Sequence, residues 1–70
     1  MTPLQHKVIA ALRKRTDDTN EVTCDTTTIA TEIDSTASRV HQALVSLIQD
    51  SYFVGTPYVD RSGMFVVTLP

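Results

Sequence analysis

The chain has 70 residues, the length of one small domain. Hydrophobic residues make up 41% of it and charged residues 20%, which is ordinary globular usage and argues against disorder or a coiled coil. No apolar run approaches the roughly 20 residues that a membrane span needs. The N-terminal stretch MTPLQHKVIA lacks the pattern of a signal peptide, so we expect a cytoplasmic protein without a membrane partner.

Charge gives little support for a nucleic-acid partner. Six Lys and Arg against eight Asp and Glu give a formal net charge of −2, whereas DNA-binding domains usually carry a basic excess. Four of the six cations lie near the N-terminus and two lie further along: Lys7, Arg13, Lys14 and Arg15, then Arg39 and Arg61. Any phosphate contact therefore has to come from few side chains.

The first predicted helix covers residues 3–15. Thr2 can cap it, Pro3 suits the first helical position, and Gln5 completes a capping box. Its apolar residues recur at helical spacing, and they are Leu4, Val8, Ile9 and Leu12. The cations at its end are favoured there by the helix dipole, so they do not by themselves indicate DNA.

Two further helices are predicted after a polar loop and a short β-prone run at 22–24. The second covers 26–33, with Asp25 as its cap, and is rich in threonine, so tertiary packing must hold it. Asp34 and Ser35 are read as turn and cap residues. The third covers 36–50, with a stripe of apolar residues at Val40, Leu44 and Leu47.

After the third helix the apolar residues alternate with polar ones, so the hydrophobic period changes from 3.6 residues to two. This change predicts a β-hairpin over 52–69. The stretch 60–63 (DRSG) is the turn, and Phe65, Val67 and Leu69 share one face of the last strand. Pro57 lacks an amide donor, so its strand is expected at a sheet edge or with a bulge. The order of elements predicts an α+β fold, a small winged helix-turn-helix with three helices and a C-terminal hairpin.

The apolar spacing from Ile29 to Phe53 carries a family resemblance. Ile29-Ala30-x-x-Ile33-Asp34 is followed by Val40-x-x-x-Leu44-x-x-Leu47-x-x-x-Ser51-Tyr52-Phe53. This pattern resembles the winged helix-turn-helix repressors, such as the DNA-binding domains of the LexA type and the MarR type. The chain departs from the family in having Asp34 and Ser51 where glycine is common after the second and third helices. Asp tolerates a left-handed backbone better than Ser does.

The resemblance implies that the third helix is a recognition helix whose exposed side enters the DNA major groove. The DNA-binding residues it implies are Ser35, Thr36, Ser38, Arg39, His41, Gln42 and Val45, with Arg61 on the hairpin turn. Their chemistry suits this role, because Arg39 can pair with guanine and Gln42 with adenine. A polar exposed face is equally what solvent alone would produce.

Catalysis and metal binding find no support in the sequence. His6 and His41 lie on different helices, the lone Cys24 has no partner cysteine, and no nucleophile motif or phosphate-binding glycine loop is present. We therefore expect a protein that is not an enzyme and that needs no cofactor.

The function that the resemblance implies is a small sequence-specific transcriptional regulator, a repressor acting by operator occupancy, of the kind that phages and plasmids carry. The alternative is a winged-helix module that binds a protein partner. A homodimer is a third expectation, because single modules bury little DNA surface and because some apolar residues exceed what the core needs, namely Val45, Ile48, Tyr52, Tyr58 and Met64.

Overall fold

The computed structural model describes all residues from Met1 to Pro70 and contains three helices and three strands. The elements in chain order are α1 (Pro3–Arg13), β1 (Glu21–Asp25), α2 (Thr26–Glu32), α3 (Ala37–Gln49), β2 (Val54–Val59) and β3 (Met64–Thr68). The predicted α+β fold with three helices and a C-terminal β-hairpin is confirmed. No helix is long and apolar enough to cross a membrane.

The first helix begins with the predicted capping box. Gln5 N donates to Thr2 Oγ1 at 3.1 Å, and Thr2 N donates to Gln5 Oε1 at 2.8 Å. Two backbone amides that the helix leaves without partners are thereby satisfied. Gln5 itself is buried, with 8% of its surface exposed.

The predicted extent of this helix, 3–15, is two residues too long. It ends at Arg13, Lys14 is its C-cap, and Arg15 N donates to Leu12 O at 2.9 Å. This i to i−3 hydrogen bond tightens the last turn and ends the α-helical ladder before Arg15.

The second and third helices end in the same type of turn. After α2, which ends at Glu32 rather than Ile33, Ser35 N donates to Ala30 O at 2.9 Å, and Asp34 adopts φ 56°. This six-to-one bond with a left-handed residue is a Schellman motif, which usually holds glycine. Asp34 therefore adopts the left-handed backbone conformation that is expected at the position after the second helix where glycine is common.

Ser51 plays the same part after α3, whose observed bounds fall one residue inside the predicted 36–50 at each end. Its φ is 56°, Ser51 N donates to Ile48 O at 3.0 Å, and Tyr52 N donates to Leu47 O at 3.0 Å. Tyr52 then packs against the core, which completes the motif with an apolar contact.

The sheet is antiparallel with the order β1-β3-β2, so the last strand lies in the middle. Phe65, Val67 and Leu69 are buried, and Val66 and Thr68 are half-buried on the opposite face, as predicted.

Pro57 satisfies both expectations for its strand. Strand β2 is an edge strand, and its register shifts between Val54, opposite Thr68, and Tyr58, opposite Val66. Four residue steps on β2 thus span two on β3, and the extra residues form a bulge that contains the proline.

One apolar core joins the helices to the inner face of the sheet. It comprises Val8, Ile9, Ala11, Leu12, Val22, Ile29, Ala30, Val40, Ala43, Leu44, Leu47, Phe53, Phe65, Val67 and Leu69. The threonine-rich α2 has only seven residues, too few for a helix that is stable alone. The burial of Ile29 and Ala30 in the core therefore stabilises it.

Candidate nucleic-acid interface

The spacing of the apolar residues in α3 determines which side of the helix is exposed. Val40, Ala43, Leu44 and Leu47 are buried, so the residues between them point outward. Four predicted site residues are exposed there, and none of their side chains makes a hydrogen bond or an ion pair within the protein: Ser38, Arg39, His41 and Gln42. Their donors and acceptors are thus free to bind an external ligand.

Thr36 and Ser35 are placed differently from the prediction. Thr36, not Ser35, caps α3, because its Oγ1 accepts from Arg39 N at 3.2 Å. That hydroxyl can still donate its proton to a ligand. The residue Ser35 is half-buried, but its Oγ is shielded from solvent and has no hydrogen-bond partner, so this hydroxyl is not available to a ligand at the surface.

Arg39 and Gln42 border a groove between α3 and the start of α1. The groove has a volume of about 160 Å³. It is lined by Thr2, Leu4, Gln5, Arg39, Gln42, Ala43 and Ser46. The two side chains best suited to base edges therefore lie together on one side of the helix, next to polar groups of α1.

Val45 is half-buried, and it is not among the side chains packed against the core. It lies one helical turn after His41 on α3, where its methyl groups are available for an apolar contact. Ile48, in contrast, packs against the core and contributes little to this surface.

The turn of the hairpin presents Arg61 in the solvent. Asp60 Oδ1 shapes this turn by accepting from Ser62 Oγ at 2.6 Å, Ser62 N at 2.9 Å and Met64 N at 3.0 Å. These bonds, chiefly that from the Ser62 hydroxyl, lower the pKa of Asp60. Arg61 is exposed and has no partner within the chain, but it sits beside a carboxylate that stays charged.

The cations of the first predicted helix divide into two groups. Arg15 forms an ion pair with Glu32 at 2.6 Å and donates to Ala11 O, and Arg13 donates to the Tyr52 hydroxyl at 3.2 Å. Both guanidinium groups therefore join elements of the fold, a tertiary role that no local pattern in the sequence indicates.

Lys7 and Lys14 remain unpaired. They line a second groove, of about 330 Å³, between α1 and the end of α2. Glu32 and Asp34 line the same groove and oppose the charge of the two lysines. The groove is separate from the one that Arg39 and Gln42 border, and the two grooves share no lining residue.

The side chains on this surface can form hydrogen bonds with an external ligand. It combines a guanidinium, an amide, an imidazole and hydroxyl groups on one rigid helix, with a second guanidinium on the hairpin turn. No group of three or more His, Cys, Asp or Glu side chains is arranged to hold a metal ion. His6 is exposed, as predicted, and Cys24 is half-buried against the core.

Comparison with known proteins finds no family model, no curated protein and no solved structure that matches this chain.

Proposed function

We propose that this chain is a small DNA-binding transcriptional regulator that occupies an operator through α3 and thereby represses transcription in the cytoplasm. The observation that carries the proposal is the exposed, unpaired set of Ser38, Arg39, His41 and Gln42 on α3, which follows α2 after a tight turn. A helix of this kind fits the major groove, where base edges present donors and acceptors to such side chains.

The second observation that supports the proposal is that two of the arginines have no partner within the fold. Arg39 on α3 and Arg61 on the hairpin turn are both exposed and free of internal partners. An arginine that is not used in folding can neutralise a phosphate or bind guanine with two hydrogen bonds. With so few free cations, non-specific affinity is expected to be weak and to fall only modestly with salt.

The test is a titration of the protein into random-sequence duplex DNA at low and moderate salt. Arg39→Gln and Arg61→Gln should each weaken binding and reduce the slope of log K against log salt by about one unit. Arg15→Gln is the matched control, because it removes the same charge from a side chain already paired with Glu32. Its slope should stay close to that of the parent protein.

Selection of a preferred site from random duplexes then separates base readout from phosphate binding. Gln42→Ala should relax preference at one position of the selected site, with the salt slope unchanged. Equal affinity of the parent and both arginine variants for all duplexes would contradict the proposal.

A protein partner is the second candidate function. It is favoured by the net charge of −2 and by Val45, an apolar side chain on the outward side of α3 that the core does not use. This candidate predicts no measurable affinity for DNA even at low salt. Val45→Ser should then weaken the protein complex, whereas Arg61→Gln should leave it unchanged.

A further inference from the structure

One member of the exposed set on α3 can change its charge near neutral pH. His41 is exposed and makes no ion pair within the protein. Histidine is the residue whose ordinary charge change falls between about pH 5 and pH 8. Arg39 is charged throughout that range, and Ser38 and Gln42 carry no charge in it. The proton on the His41 imidazole therefore decides whether the exposed side of α3 carries one positive charge or two.

The surroundings of His41 on its own helix are uncharged. The residues three and four positions away, which are its neighbours on the helix surface, are Ala37, Ser38, Leu44 and Val45. The carboxylate that follows on the same helix is the C-cap Asp50, nine residues later. It lies about 13 Å away along the helix axis, which exceeds the Debye length of about 8 Å at physiological ionic strength. This helix supplies no anion that neutralises a protonated His41.

The elements that pack against α3 do not neutralise it either. The two with the most extensive contact are α1 and α2. The ionisable side chains of α1 are all basic, and they are His6, Lys7 and Arg13. Glu32 is the one carboxylate of α2, and it pairs with Arg15. Glu32 and Asp34, in the turn after α2, line the groove between α1 and α2. A positive charge on His41 is thus left for an external anion.

We propose that protonation of His41 strengthens the binding of duplex DNA by α3, so that affinity rises as the pH falls from about 7.5 to about 5.5. The inference rests on the proposed function, because it takes the DNA phosphates and bases as the external ligand. An imidazolium adds a third charge to those of Arg39 and Arg61 on the proposed surface. Both of its ring nitrogens then donate, and hydrogen bonds from a charged donor are the stronger ones.

A coupling of this kind is reciprocal. If the protonated form of His41 binds DNA more tightly, bound DNA must favour the protonated form by the same factor. The protein therefore takes up protons when it binds DNA near neutral pH. For an imidazole of ordinary acidity, a tenfold coupling corresponds to the uptake of about half a proton near pH 7.

Titration of the protein into one random-sequence duplex at low salt, at about pH 5.5, 6.5 and 7.5, tests the inference. The parent protein should bind about tenfold more tightly at the lowest pH, and its slope of log K against log salt should be steeper there by about one unit. His41→Gln should bind at every pH as the parent does at the highest. His41→Lys keeps a cation throughout, so its affinity should be high and independent of pH.

The matched control is His6→Gln. His6 is the other histidine of the chain, and it is also exposed, but it lies on α1 and lines neither groove. This variant loses the same titrating group from the rest of the surface and should keep the full pH dependence of the parent. Loss of the pH dependence in His6→Gln would overturn the assignment to His41.

Calorimetry near pH 7 in two buffers that differ in heat of ionisation counts the protons directly. The parent and His6→Gln should each take up about half a proton on binding DNA, and His41→Gln should take up none. Measurable DNA binding with equal affinity at all three pH values, or full pH dependence retained in His41→Gln, would overturn this inference and leave the proposed function standing. Absence of DNA binding at every pH would overturn both.

Discussion

Thr26 and Gly63 join the start of α2 to the turn of the hairpin. Thr26 N donates to Gly63 O at 3.0 Å, and the Thr26 Oγ1 would lie only 2.8 Å from a Cβ atom on Gly63. Thr26 is itself buried, with 6% of its surface exposed. The turn that carries Arg61 is therefore held in a fixed position relative to the helix-turn-helix.

Substitution at Gly63 should be more destabilising than at Gly55. Both have a positive φ, +90° and +80°, but a Cβ at Gly55 has no atom within 4 Å. Gly55→Ala should cost about 1–2 kcal/mol from backbone strain alone, and Gly63→Ala about 2–4 kcal/mol because a steric clash is added. Urea unfolding measures both. Equal costs would show that the contact with Thr26 relaxes freely.

Replacing Ser51 by glycine should stabilise the protein. Ser51 has φ 56°, a conformation that glycine adopts without a steric penalty. We expect Ser51→Gly to raise the free energy of unfolding by about 0.5–1 kcal/mol, and Ser51→Val to lower it. Asp34→Gly, at the same φ, should gain less, since Asp is better tolerated there. Thermal or urea unfolding would contradict this if Ser51→Gly were the less stable protein.

The Thr36 cap should stabilise α3 measurably. Its Oγ1 accepts from Arg39 N, so Thr36→Ala leaves that amide without its partner and should cost about 1 kcal/mol. Thr36→Ser keeps the hydroxyl and should retain most of the stability. A urea titration that finds the two variants equally destabilised would show that the methyl group, not the cap, is responsible.

Stability should fall in acid because three carboxylates are better hydrogen-bonded in the folded state. The pKa of Asp17 is lowered mainly by the Thr19 hydroxyl, that of Asp25 by the Thr28 amide, and that of Asp60 by the Ser62 hydroxyl. A pKa depressed by folding contributes stability that is present above the ordinary value of 3.8 and is lost as pH falls through the folded value.

Urea unfolding between about pH 5 and pH 2 measures this loss. Asp25→Asn keeps an acceptor at the cap of α2 but cannot titrate, so the stability of that variant should depend less steeply on pH. A parent protein whose unfolding free energy is constant down to pH 2 would contradict the prediction.

The fold could be predicted because short-range signals agree with one another. The capping box of Thr2 and Gln5, the stripe from Val40 to Leu47, and the hairpin turn each specify an element locally, and each is observed. Helix ends were less predictable. Arg15 is a good helix former at the C-terminal end, and only the hydrogen bond from its backbone amide to Leu12 O shows that it lies outside the α-helix.

The candidate site was partly predictable for the same reason. The period of α3 predicts that Arg39 and Gln42 are exposed, but it does not show that Ser35 turns its hydroxyl into the protein. The register of β2 could not be predicted either, because Val54 lies opposite Thr68 but Tyr58 lies opposite Val66, so that two residues of β2 are extra relative to β3. A bulge of this size is a tertiary feature, and Pro57 indicates its presence but not its length.

The central place of β3 has a consequence for how the protein is made. Strands β1 and β2 do not pair with each other, and both pair only with β3, which follows them in the chain. Both flanking strands are made before β3, so neither has its partner strand until Met64–Thr68 has been synthesised. The sheet therefore cannot form before β3 is present, because β3 provides every strand pairing in it.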